Sequence, residues 1–249
     1  MRDILTVMWK EWRELLWHGG SLRGGRLSLV VLLGVFGVLL PYQSGREWLT
    51  SPGTMFYWCW VPLMLVAGAI ADAFAGERER HTLETLLASR LPDRAILLGK
   101  VFAAVAYGWL LVMLMLVLSV VTVNVRAAAS GLLAPWPLLF PRPFAVGAPV
   151  LALLGAGLAA SAGVLVSLRA SSVRQAAQSL NVAILVLMLV PILVSQALSD
   201  ATLSQLGAWA ASAGAWRIIW VVAAALAVLD AVLLAAALGR FRRARLMLD

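Results

Sequence analysis

The run VFAAVAYGWLLVMLMLVLSVVTV, from Val101 to Val123, contains no charged residue. A helix needs about 20 mostly apolar residues to cross the hydrocarbon core of a bilayer, so this stretch alone names the solvent the fold is built for. The rest of the chain agrees. Of 249 residues, 62% are hydrophobic and 13% charged, and the mean hydropathy is +0.92. Soluble domains carry about twice that share of charge. The chain reads as an all-α integral membrane protein, a single transmembrane unit over 1–249 with no room for a separate soluble domain. Spanning segments must satisfy their own backbone hydrogen bonds, and these apolar runs do not alternate as the strands of a barrel do.

Six segments qualify as spans: about Leu27–Gln43, Met55–Ala75, Ala95–Val123, Val146–Leu168, Val173–Leu198 and Trp216–Gly239. The unit divides into an N-terminal helix over 1–18, spans one and two over 27–76, a polar loop over 77–94, spans three and four over 95–168, spans five and six over 173–239, and a tail over 240–249. Pro41 is expected to end the short first span. The long third span is expected to protrude into water at its start.

Lys and Arg set the orientation. With six spans, the termini share a side with Arg23, Arg26, Arg78, Arg80, Arg90, Arg94, Lys100, Arg169, Arg174 and the basic tail, whereas the opposite side holds only Arg46, Arg126, Arg142 and Arg217. Both termini are therefore expected in the cytoplasm. The net charge of +8 reflects this topology and not a nucleic-acid partner. Tryptophan prefers the headgroup level. Trp48, Trp58, Trp60, Trp136, Trp209, Trp216 and Trp220 fall near the outer interface, Trp9, Trp12 and Trp17 near the inner one, and Trp109 in mid-span.

At about 100° per residue, Ile4, Leu5, Met8, Trp9, Trp12, Leu15 and Leu16 share one arc of residues 1–16, and Arg2, Asp3, Thr6, Lys10, Glu11, Arg13 and Glu14 fill the other. Only Val7 is out of place. An amphipathic helix ended by Gly19-Gly20 is predicted, lying in the inner headgroup layer. Its charges exclude a cleaved signal sequence.

Nine charged residues crowd into AGERERHTLETLLASRLPDRAILLGK, Ala75 to Lys100. Thr82 can cap a short helix on which Leu83, Leu86 and Leu87 recur at i, i+3 and i+4. Such a stripe needs a surface to cover it: the membrane, or a cytoplasmic protein. This stretch resembles the cytoplasmic loop of ABC transporter permeases of the type-2 exporter family. The resemblance rests on Glu77-Arg78-Glu79, Thr82-Leu83-Glu84-Thr85-Leu86-Leu87, Ser89, Pro92, Arg94 and Gly99-Lys100. His81 stands where glycine is common, and Ser-Arg-Leu-Pro replaces Ser-Pro. The resemblance implies a coupling helix that docks on a separate ATP-binding cassette ATPase, with Glu77, Arg78, Glu79, Arg80, Thr82, Leu83, Glu84, Leu86 and Leu87 as the docking residues. It further implies two permease chains, identical or homologous, two ATPase chains holding ATP and Mg, and alternating access in a prokaryotic inner membrane. The alternative for the loop is a solvated connector.

No catalytic or metal-binding residues are assigned. A phosphate loop needs G-x-x-x-x-G-K-[ST], but position 94 is Arg and position 101 is Val, so no cofactor is expected in this chain and Lys100 reads as a snorkelling lysine. Single Cys59, His18 and His81 form no metal site. Ionisable residues inside spans are costly and often functional. Asp230 in span six and Asn181 in span five are candidate pathway residues, with structural pairing as the other reading of Asp230. Gly155, Ala159 and Gly163 in span four permit close helix contact. The expected function is the permease subunit of an ATP-driven exporter, without enzymatic activity of its own. The competing readings are an ion-coupled secondary transporter using Asp230 and a membrane scaffold without transport.

Overall fold

The computed structural model describes residues 2–17, 24–79, 92–131, 137–170 and 172–241. Among these no strand occurs. The helices are α1 (Arg2–Trp17), α2 (Gly24–Gly34), α3 (Leu40–Ser44), α4 (Arg46–Thr50), α5 (Gly53–Ala71), α6 (Glu77–Glu79), α7 (Asp93–Ala129), α8 (Arg142–Ser167), α9 (Val173–Ala197), α10 (Asp200–Ala213) and α11 (Ala215–Arg240). One π-helical turn, Val35–Leu39, joins α2 to α3, and another, Asp72–Gly76, joins α5 to α6.

Five helices are long and apolar enough to cross a membrane: Gly53–Gly76, Asp93–Ala129, Arg142–Ser167, Val173–Val194 and Ala215–Arg240. The first expected span forms a shorter apolar helix, Leu29–Ser44. Pro41 does not end it. The π turn closes on a bond from the Leu40 amide to the Val35 carbonyl, and Pro41 then falls in the first turn of α3, where a missing N–H costs least. The chain breaks instead at Gly45, whose φ of 60° suits glycine. The 37 residues of α7 extend about 55 Å, more than the core requires. Besides the five-residue α4, a longer helix escapes the sequence reading: α10, in the connection between the fifth and sixth segments. Its signal was local, since the Ser199 hydroxyl caps the Thr202 amide at 3.3 Å.

Lipid tails are as apolar as leucine, so helices in a bilayer associate by close packing rather than by the hydrophobic effect. Small residues on α8 provide that closeness. A Cβ at Gly155 would lie 2.9 Å from the Cys59 carbonyl oxygen of α5, and one at Gly163 would lie 2.7 Å from Ile70 Cγ2. One core joins Val66, Ile70, Phe74, Ile96, Leu97, Ala156, Ala160 and Val164. A second joins Trp48, Trp58, Val61, Leu65, Val112, Met115 and Ala152. Thus α5 and α8 are the centre, with 67% of the apolar window of each buried, whereas α9 and α11 bury 11% and turn most of their surface outward.

Three tryptophans assigned to the outer interface belong to the interior. Trp48, Trp58 and Trp60 are buried, and Trp48 stacks on Tyr57 at 5.5 Å and meets Trp58 edge-on at 6.0 Å. Trp209, Trp216 and Trp220 are exposed. Mid-span Trp109 donates to the Pro149 carbonyl at 3.0 Å, which satisfies its one polar group.

Replacing Gly155 with Leu should cost roughly 1–3 kcal/mol, because the obstacle is backbone and overpacking cannot relax into it. Gly68, where a Cβ meets nothing within 4 Å, should accept Ala with no loss. Reversible unfolding in mixed detergent micelles checks both.

Candidate functional site

The candidate site lies where the polar loop joins the bundle, and α1 builds one wall of it. Val7, the residue out of place on the helical wheel, is buried. A Cβ at Gly99 would lie 2.7 Å from Val7 Cβ, so glycine alone admits this approach. One turn on, at i+4 on the same face, Glu11 reaches the neighbour of Gly99. Its Oε1 lies 2.8 Å from Lys100 Nζ. Trp12 then donates to the Ala103 carbonyl at 3.3 Å. Leu5 and Trp9 face away from the bundle and are exposed. The helix therefore docks by Val7 and Glu11 of its polar arc and by Trp12 at the edge of its apolar arc, and offers Leu5 and Trp9 outward.

The second wall is the π turn after α5. A π turn leaves one carbonyl without its usual partner, and Ala73 O accepts from Lys100 Nζ at 2.9 Å. Directly after it, Glu77 Oε1 lies 2.8 Å from the same nitrogen. An ammonium has three donors, and Glu11, Glu77 and Ala73 take all three. The Phe74 ring lies 5.6 Å from the charge. The lysine side chain is wholly inaccessible, 0% exposed. Lys100 is thus no snorkelling residue: three acceptors inside the protein replace the headgroup water a snorkelling chain seeks.

Lys10 closes the group at its rim. Its Nζ lies 3.2 Å from Glu77, 3.3 Å from Glu14 and 3.5 Å from Glu11. Partial burial opposes its charge, yet Glu11, Glu77 and Glu14 together prevail and hold its pKa above the ordinary lysine value. A raised lysine pKa stabilises the fold at all pH values below the unfolded one and is lost only as pH climbs through the folded one. Lys10 therefore holds at neutral pH.

These contacts place the proposed docking residues. Glu77 is buried and turned toward Lys100 and Lys10. The Glu79 carboxylate accepts from the Val173 amide at 3.2 Å, at the positive start of α9, where the Ser172 hydroxyl also caps Gln175. Arg78 lies on α6 between them. Arg80, Thr82, Leu83, Glu84, Leu86 and Leu87 lie outside the described residues.

The pathway candidates lie apart from this group. Ser161 of α8 donates to Asp230 Oδ1 of α11 at 2.6 Å. Gly157 makes room for the carboxylate: a Cβ there would lie 3.1 Å from Asp230 Cγ. Asn181 is exposed on α9, and no hydrogen bond among the described residues joins it to Asp230. At the opposite end of α7, Asn124 clasps Leu138 at both its amide and its carbonyl, 2.8 Å each, and so ties α7 to the stretch that leads into α8. Arg126 donates to the Tyr42 carbonyl and, at 2.7 Å, to that of Gln43.

A family model described as ABC-2 type transporter matches residues 2–196. The chain belongs to that family. It is a multi-pass membrane permease of an ABC transporter, a transport subunit rather than a catalytic ATPase domain, and the family implies association with an ATPase subunit. A comparison with curated proteins found no match. The matched segment takes in α1 and the whole Lys100 group, whereas α10, α11 and Asp230 of this ABC-2 chain lie beyond it.

Replacing Lys100 with Met should destabilise the permease by roughly 3–5 kcal/mol, the cost of leaving buried carboxylates without their partner. Lys10→Met should cost under about 1 kcal/mol, since a half-exposed pair is screened. Thermal unfolding in one detergent at one ionic strength compares them.

Proposed function

We propose that this chain is the permease subunit of an ATP-driven exporter in a prokaryotic inner membrane, with both termini cytoplasmic. Two such chains, identical or homologous, would work with two ATP-binding cassette subunits that hold ATP and Mg, and would switch between inward and outward access. The observation that carries this reading is the anchoring of both stems of the charged loop. Glu77 and Ala73 on the incoming stem bind Lys100 on the outgoing one. A force applied to the loop therefore reaches α5 and α7 together.

On this reading the docking surface is Arg78, Arg80, Thr82, Leu83, Glu84, Leu86 and Leu87. Glu77 and Glu79 belong to the same set and hold its incoming stem through Lys100 and the Val173 amide. The leucine stripe meets the ATPase, and the charges keep the loop in water. Replacing Leu83 and Leu87 with Asp should release the ATPase on copurification and lower substrate-stimulated ATP turnover at least about tenfold, a coupling loss of about 1.4 kcal/mol. A scaffold without transport predicts unchanged turnover.

Asp230 separates the remaining alternative. Its hydrogen bond from Ser161 supports a tie between α8 and α11, with pathway lining by Asp230 and Asn181 as a further role. Asp230→Asn preserves size and the acceptor oxygen. ATP-driven transport in proteoliposomes should persist in that variant, whereas an ion-coupled carrier would stop and would respond to collapse of the proton gradient.

A further inference from the structure

We propose that Phe241, just past the end of α11, is a positioning residue for the Lys100 group and acts through Phe74. Ile219, Ala223, Asp230, Ala237 and Phe241 recur on one arc at about 100° per residue. This arc is the seat of the helix. A Cβ at Gly147 of α8 would lie 2.8 Å from Ile219 Cδ1, Ser161 of α8 holds Asp230, and Ala223 and Ala237 are buried. Phe241 reaches past α8. Its ring meets Phe74 of the π turn after α5, with centroids 5.9 Å apart and planes at 85°, the edge-to-face geometry that aromatic rings prefer. The amide of Phe241 keeps the Ala237 carbonyl at 2.9 Å while its ψ of 83° leaves the helical backbone.

Phe74 is the apolar cover of the buried charge. Glu11, Glu77 and the Ala73 carbonyl take the three donors of Lys100, and the Phe74 ring, 5.6 Å from the ammonium, adds the attraction of an aromatic face. Ala73 and Phe74 are neighbours in the turn Asp72–Gly76, so a contact that fixes the ring also fixes the carbonyl. Both phenylalanines are 3% exposed. With Phe241 truncated, Phe74 loses the support behind it, and water gains a route to Lys100. Glu11, Ala73, Phe74, Glu77 and Lys100 all lie in the segment that the family model matches, whereas Phe241 lies beyond it. The last span of this chain thus completes a group whose other members belong to the family segment.

This inference does not depend on the docking reading. Lys10 and Lys100 are the only lysines of the chain, so acetylation by water-soluble sulfosuccinimidyl acetate, read by mass spectrometry, reports each one. In the full-length chain in nanodiscs, half-exposed Lys10 should react and serve as the internal reference, while Lys100 should not. Phe241→Ala should raise the Lys100 rate at least about tenfold by local opening. Phe74→Ala should raise it as well, and the double variant should react no faster than Phe74→Ala alone, because residues that act in series are not additive. Ile219→Ala loosens the far end of the same arc and should leave Lys100 unreactive. Should Phe241→Ala fail to fold, Phe241→Val takes its place with the same expectation. A Lys100 that reacts in the unsubstituted chain, stays unreactive in the Phe241 variant or reacts as fast in the Ile219 variant overturns the inference, as do rates that add in the double variant.

Discussion

A buried ammonium is the constraint on which the loop end of this permease is arranged. Removing a charge from water costs several kcal/mol even after the protein relaxes, and the cost is met only if every donor finds an acceptor. Lys100 meets it with Glu11, Glu77 and the Ala73 carbonyl. Each demands something of the sequence around it. Glu11 reaches Lys100 only because Gly99 lets Val7 approach. Ala73 offers its carbonyl because the helix departs from its regular ladder at Asp72–Gly76. Glu77 lies within reach because that turn hands the chain on without a break.

The same device recurs across the bundle. In the π turn Val35–Leu39, the Gly37 carbonyl accepts from Thr122 at 3.1 Å, so both π turns present a carbonyl to a polar side chain of α7. Elsewhere the fold relies on small residues. Gly155 and Gly163 bring α8 against α5, and Gly147 and Gly157 bring it against Ile219 and Asp230 of α11. Dispersion and a few hydrogen bonds hold the interior. The outward faces of α9 and α11 stay apolar because their surroundings are.

How much of this was legible follows from the range of each interaction. The fourth, fifth and sixth segments emerge close to their expected ends because hydropathy over a long window is a local property. The end of the first span was misread because Pro41 normally stops a helix, and nothing nearby reveals that a π turn shifts the register before it. Trp48, Trp58 and Trp60 were placed by depth alone, and depth does not distinguish a residue facing lipid from one facing Met115 or Ala152. Lys100 was misread for the same reason: its partners lie 89 and 27 positions away. Val7 was a signal in plain view. An apolar residue on a polar arc, one turn before a glutamate, marks a docking strip. The charged loop was read from its motif, and most of that motif lies outside the described residues.

The remaining consequence concerns α7. Proline removes a helix hydrogen bond and softens the ladder at that point. Pro62 lies inside α5, Pro149 inside α8 and Pro191 inside α9, but α7 has none over its 37 residues. Its end beside the charged loop is held at Lys100. Its far end is clamped to Leu138 by Asn124 and to the carbonyl end of α3 by Arg126. A helix without proline has no preset kink and bends only gently. Leu138 and Tyr42 are thus tied to the loop end through one continuous helix. The stems of the loop and the stretch at Leu138 are tied to the two ends of one rod, while the proline-bearing helices beside it carry a softer ladder.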